Sequence, residues 1–168
     1  LACAEEAVRA GAVLVTLHAR TRAQAFGGKA RLEHIRTLKE NCAVPVFGSG
    51  DLFSPQDCRQ MLEKTRCDGV MIARGCLGNP FIFRQTEALL KADAAAPVID
   101  ARQRLFAALE HLRMLSDAVG EEKACRDMRK HFIAYTKGME SGNVIRQSVV
   151  NAETIAEYQE IVDSYLRA

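Results

Sequence analysis

The sequence predicts an α/β chain in two parts: the carboxy-terminal part of a (β/α)8 TIM barrel at residues 1–96, then a small all-α helical bundle at residues 97–168. Three observations lead there. Apolar runs after Gly11 up to Leu17, from Val44 to Phe47 and from Val70 to Ile72 read as strands, and the last, with no period-two alternation, reads as covered on both faces, as in a parallel sheet. They recur about 25 to 31 residues apart with helical patterns between them, the spacing of repeated strand-helix units. Past residue 97 the strand pattern stops and helical periodicity alone remains.

Taken in order, the chain opens in mid-pattern with Glu5, Glu6 and Arg9 among alanines up to Gly11, the last turns of a glycine-capped helix. The first strand ends in the polar burst His18-Ala19-Arg20-Thr21-Arg22. Arg31–Glu40 carries Leu32, Ile35 and Leu38 at helical spacing, an amphipathic helix over the sheet. After the second strand, Ser54-Pro55-Gln56-Asp57 is a helix start, with serine as N-cap and proline in the first turn. That helix presents Cys58, Met61 and Leu62 inward as far as Arg66. Phe81, Ile82, Phe83, Leu89 and Leu90 form the helix after the third strand, and 93–97 reads as the linker.

In the second part, Asp100 caps a helix bearing Leu105, Phe106, Leu109 and Leu112. A helix over Glu121–Lys137 puts Ala124, Met128, Phe132 and Tyr135 on one side. A short helix containing Val144–Val150 follows, and Thr154-Ile155-Ala156-Glu157 is a capping box opening a last helix with Ile155, Tyr158, Val162 and Tyr165. Three strand-helix units do not close an eight-stranded barrel, so further strands are expected before Leu1 and the chain reads as a fragment.

Composition sets broad limits. With 168 residues, 48% of them hydrophobic, the chain can bury a core, and 23 basic against 21 acidic residues leave any basic face local. Six cysteines show no C-x-x-C pair and no histidine at ligand spacing, which argues against zinc and a disulfide framework and for a reducing, cytoplasmic setting. No apolar run of membrane-spanning length and no leader pattern occurs.

The functional signal lies at the strand ends. Ala73-Arg74-Gly75 places a fixed cation beside a glycine, and Gly48-Ser49-Gly50-Asp51 is a glycine-rich turn after the preceding strand. Two successive strand ends of this kind match the phosphate site that α/β barrels build from their last two loops, although a glycine turn taken singly more often just reverses the chain. His18 and Arg20, two apart on an extended chain, share a side and suggest a ligand site; the plainer reading of His18 is a hydrogen-bonded strand-end histidine. Arg126, Arg129, Lys130 and Lys137 against Asp127 give the second helix of the bundle a net +3, either a solvated face or a phosphate-contacting one for RNA.

The segments Val15–Arg22, Pro45–Ser54, Cys67–Phe83 and Gly120–Gly138 resemble the tRNA-dihydrouridine synthases, most closely the bacterial B-type branch. The resemblance implies a flavoenzyme barrel followed by a helical tRNA-binding domain, with FMN as cofactor, NADPH as reductant, and a uridine of tRNA flipped out and reduced to dihydrouridine. By matched positions it implies that Ser49, Gly50, Asp51, Ala73 and Arg74 hold the FMN phosphate and ribityl chain. His18 and Arg20 would then lie near the flavin ring and the uracil, with Arg129 and Lys130 on the tRNA. Asparagine is usual where Ser49 stands, and glycine is common where Ala73 stands. The acid cysteine and a flavin-contacting lysine of the family belong to earlier strands, so no catalytic residue is expected here. Cys76, where alanine is usual, is expected to be a small buried packing residue. The full-length protein is expected to be monomeric and to hold no metal. Two other readings remain: a non-flavin barrel enzyme binding a phosphorylated metabolite through the same turns, and a non-catalytic RNA-binding fragment.

Overall fold

A computed structural model describes residues 1–25, 27–92 and 97–167; residues 93–96 of the expected linker lie outside the described residues. The chain is mixed α/β and rich in helix, in the order α1 (Ala2–Arg9), β1 (Val15–His18), α2 (Leu32–Asn41), β2 (Val46–Ser49), α3 (Pro55–Thr65), β3 (Gly69–Val70), α4 (Ile82–Ala92), α5 (Ala101–Val119), α6 (Glu121–Tyr135), α7 (Gly142–Ser148) and α8 (Ile155–Arg167). Contacts divide it into two compact units, Leu1–Cys76 with Ile82–Ala96, and Leu77–Phe81 with Pro97–Ala168. In this division the short segment 77–81 groups with the helices of the second unit.

In the first unit β1, β2 and β3 form a parallel sheet in chain order, with His18 in register with Ser49 and Val70 with Gly48. β1 starts later than the apolar run suggests. Gly11 N–H bonds the Val8 carbonyl and Ala12 N–H the Ala7 carbonyl, closing α1 in a Schellman motif that ends at Ala12, directly before Val13. Ladder pairing begins at Val15, and Val13 is left 82% exposed. At the other edge β3 is only two residues long and Met71 is 44% exposed, so the expectation of a strand covered on both faces fails for an edge strand with a neighbour on one side only. β2, paired on both sides, has Val46 fully buried.

The helices follow their periodic residues. Ile35 and Leu38 of α2, and Cys58 and Met61 of α3, are buried against the sheet in one cluster with Val46 and Leu52. Ser54 caps α3 in a capping box with Asp57, and Arg66 closes it in the left-handed conformation at φ 58°. In α4 Ile82 and Leu89 are buried, whereas Phe83 and Leu90 face outward.

In the second unit α5 packs on α6 and α8, and α7 on α6 and α8, around Leu105, Leu109, Leu112, Met128, Phe132, Tyr158 and Val162. Phe106 is 42% exposed, because one residue past Leu105 is rotated about 100° off the buried stripe. The Asp100 and Thr154 caps form as expected, Asp100 with Gln103 and Thr154 with Glu157. Tyr158 donates its hydroxyl to the Cys125 carbonyl at 2.8 Å, which satisfies the one polar atom this ring brings into the core. Among the described residues no helix is long and apolar enough to cross a membrane.

Candidate phosphate site at the strand ends

Because the three strands are parallel, their carboxyl ends lie together, and the segments that follow them meet. His18 is exposed at the end of β1, its Nδ1 3.3 Å from the hydroxyl of buried Ser49. Two residues on, the same register places Arg20 opposite Asp51. Arg20 Nη2 bonds both carboxylate oxygens of Asp51, at 2.8 and 2.6 Å, and donates to the Gly28 carbonyl at 2.9 Å. The Arg20 side chain is 2% exposed, and its Nη1 is buried with no hydrogen-bond partner among the described residues. Ala30 N–H donates to Asp51 Oδ2 at 2.9 Å, so one carboxylate ties the β1–α2 loop to the β2–α3 loop.

From the end of β3, Arg74 reaches the same carboxylate, Nη2 to Oδ1 at 3.3 Å, with its guanidinium 5.3 Å from the centre of the Phe53 ring. Burial alone raises the Asp51 pKa, but the Ala30 amide and the Arg20 and Arg74 guanidiniums outweigh it and hold the carboxyl below its ordinary value. Asp51 itself sits at φ 54°, a left-handed conformation that short aspartate tolerates better than most residues. Gly75 follows Arg74 where a Cβ would lie 1.9 Å from the Leu52 carbonyl oxygen, so only glycine lets the two loops approach this closely.

His18, Ser49, Gly50, Asp51, Ala73 and Arg74 line one small pocket of about 20 Å³. Arg20, also expected to face a ligand, instead lines an adjoining groove of about 660 Å³ with Lys29, Lys64, Asp51 and Arg74. Its Nη2 is committed to Asp51 and to the Gly28 carbonyl. Cys76, expected to be a small buried packing residue, is only half-buried, with Sγ 3.0 Å from the Ala73 carbonyl.

In the second unit α6 separates its basic residues. Lys130 is exposed, but Arg129 turns inward, its Nη2 3.3 Å from the Ala152 carbonyl and its Nε buried. Arg126 lies 3.8 Å from Glu122, and Lys123 pairs with Asp127. The net +3 counted along 124–137 thus leaves out Glu122, which lies beside Arg126 on the folded helix.

Sequence reasoning missed the Arg20–Asp51 pair, although its signal was present: Arg20 and Asp51 are 31 residues apart, as are His18 and Ser49, so aligning the two strand ends by one pair delivers the other. The contribution of Ala30 had no such signal, since a backbone amide carries no side-chain mark.

The family model described as dihydrouridine synthase matches residues 1–168. A probable tRNA-dihydrouridine synthase of Treponema pallidum (strain Nichols) is 46% identical over 164 residues, 95% of this chain and 48% of the relative. A probable tRNA-dihydrouridine synthase of Aquifex aeolicus (strain VF5) is 36% identical over 91% of this chain and 47% of the relative. The tRNA-dihydrouridine synthase B of Pasteurella multocida (strain Pm70) is 34% identical over 88% of this chain and 45% of its own length. The chain spans about half the length of the curated relatives it matches. With every residue from 1 to 168 inside the match, the chain belongs to the dihydrouridine synthase family.

Proposed function

We propose that this chain contributes the phosphate-holding strand ends and a helical RNA-contacting unit to an enzyme that reduces uridine in tRNA to dihydrouridine. The observation that carries the proposal is the convergence of three parallel strand ends on Asp51, with Arg20 and Arg74 both on its carboxylate. In this reading the sheet belongs to a larger barrel. A cradle of this kind suits an organic phosphate: one carboxylate against two guanidiniums leaves a net positive charge, and the glycine at 75 keeps the floor of the cradle backbone only.

The backbone of Ser49, Gly50 and Asp51 with Ala73 and Arg74 would hold the phosphate end of FMN, and His18, exposed at the strand end, would lie toward its ring. Bound FMN would supply two-electron hydride chemistry, with NADPH as reductant and the uracil of tRNA as acceptor. No residue of this chain is assigned the proton that completes the reduction. Exposed Lys130 and Arg126 of α6 would meet RNA phosphates, and Arg129 would support them from inside.

Titration with FMN and with riboflavin, read by flavin fluorescence, tests the cradle. The expected result is preference for FMN, lost in Arg74→Met to the extent of about tenfold, the order of one charge-assisted hydrogen bond. Equal binding of both flavins, or preference for a simple sugar phosphate over FMN, overturns the flavin reading and favours a phosphorylated-metabolite enzyme.

A further inference from the structure

We propose that Asp51 is the built-in counter-ion of the cradle: Arg20 and Ala30 fix it in place, and it surrenders Arg74, but not Arg20, to an arriving phosphate. The inference rests on the reading of the site as a phosphate cradle, and it makes Arg20 a positioning residue instead of a ligand contact.

The two arms on Asp51 are unequal. Arg20 reaches both carboxylate oxygens, at 2.8 and 2.6 Å, also bonds the Gly28 carbonyl, and has a side chain 2% exposed. Arg74 reaches only one Asp51 oxygen, at 3.3 Å, with its guanidinium also 5.3 Å from the Phe53 ring centre and its side chain 37% exposed. Charge-assisted bonds weaken with length and with solvent screening, so the second arm is the one that exchanges. Space points the same way. The pocket between Asp51, Ala73 and Arg74 has a volume of about 20 Å³, room for about one water and too little for a phosphate group. Of the two arginines, Arg74 alone lines both this pocket and the 660 Å³ groove beside it. Its departure from Asp51 joins the two spaces and turns its guanidinium to the anion. Arg20 lies on the groove side only, locked to the loop that carries Gly28 and Ala30.

Two measurements on the intact protein decide the matter. The first is hydrogen exchange at the Ala30 amide, which donates to Asp51 Oδ2. Arg20→Met is expected to speed it by at least about tenfold, with partial rescue in Arg20→Lys, whereas Arg74→Met changes it by less than about threefold. Should Arg20→Met fail to fold, Arg20→Lys against Arg74→Met gives the same comparison. Equal acceleration by both overturns the fixed arm. The second is calorimetric titration with inorganic phosphate. Asp51→Asn is expected to bind phosphate at least about threefold more tightly than the wild type, because the competing carboxylate charge is gone. A carboxylate that merely shaped the loop predicts weaker binding on its loss, and weaker binding in Asp51→Asn overturns the exchange. If the wild type binds neither inorganic phosphate nor FMN, the cradle and the exchange fall together, and the Ala30 result still decides the role of Arg20.

Discussion

At Gly75 a single hydrogen atom stands where a methyl group would lie 1.9 Å from a carbonyl oxygen, and the whole meeting of two loops depends on it. Gly75→Ala must push the Leu52 backbone or the Arg74 turn aside, so flavin mononucleotide affinity is expected to fall by about tenfold or more while helical content stays unchanged, as fluorescence titration and circular dichroism would show. Asp51 gives a second prediction with a definite sign. Its folded pKa is depressed, so the stability it contributes is present above the ordinary carboxylate value of 3.8 and is lost as pH falls below it. Hydrogen-exchange protection at Ala30 is therefore expected to decay below that pH, and in Asp51→Asn to show no such step. At this scale the sequence was legible for which strand-end residues meet: His18, Ser49, Asp51 and Arg74 line one pocket. It was misleading for Arg20 and Arg129, because a long cation on an amphipathic pattern gives no sign of whether its head reaches solvent or turns to a carboxylate or carbonyl.

The helices were the most legible elements, since their caps are local chemistry. Ser54 with Asp57, Asp100 with Gln103 and Thr154 with Glu157 each form the reciprocal bonds that their spacing announces. Strand limits were less so, because a strand ends where its partner ends, and β1 waits for Pro45 before it pairs. The seam of α5 and α6 carries a pH dependence of its own. His131 lies partly buried with its ring 4.8 Å from that of His111; burial first, then His111 and Lys130, lower its pKa, with Asp127 opposing. A base whose folded pKa is depressed costs stability as pH falls through its ordinary value near 6.5. Urea unfolding is expected to show the second unit weakening below that pH, and His131→Asn to flatten the profile. Tyr158 on α8 acts at the other extreme. Burial pushes its phenol up to about 12, so its contribution is whole below its ordinary value of 10 and fades as pH climbs toward 12. Tyr158→Phe is expected to remove that alkaline step and to cost about 1–2 kcal/mol at neutral pH, through the loss of the buried hydrogen bond to the Cys125 carbonyl.

For the molecule as a whole, both margins of the sheet are unguarded. Val13 is 82% exposed beside β1, and Met71 is 44% exposed beyond β3, while neither strand has a partner on its outer side among the described residues. Open edges with apolar neighbours invite pairing between chains. The 168-residue chain on its own is expected to self-associate as its concentration rises, and Val13→Lys with Met71→Lys to shift it toward the monomer in light scattering. Along the chain the strand pattern stops near residue 97, but nothing there marks the allegiance of residues 77–81. That depends on Gly78, whose φ is 69° and where a Cβ would lie 2.3 Å from the Ala134 backbone carbon, a proximity invisible along the chain. The same dozen letters thus serve two masters: Arg74 and Gly75 answer to the sheet, Gly78 to α6. A chimera spliced at 96/97 would import foreign helices while retaining the host's 77–81, so that junction parts a plug from its own socket. A hybrid meant to fold must transplant this pentapeptide along with the helices it serves.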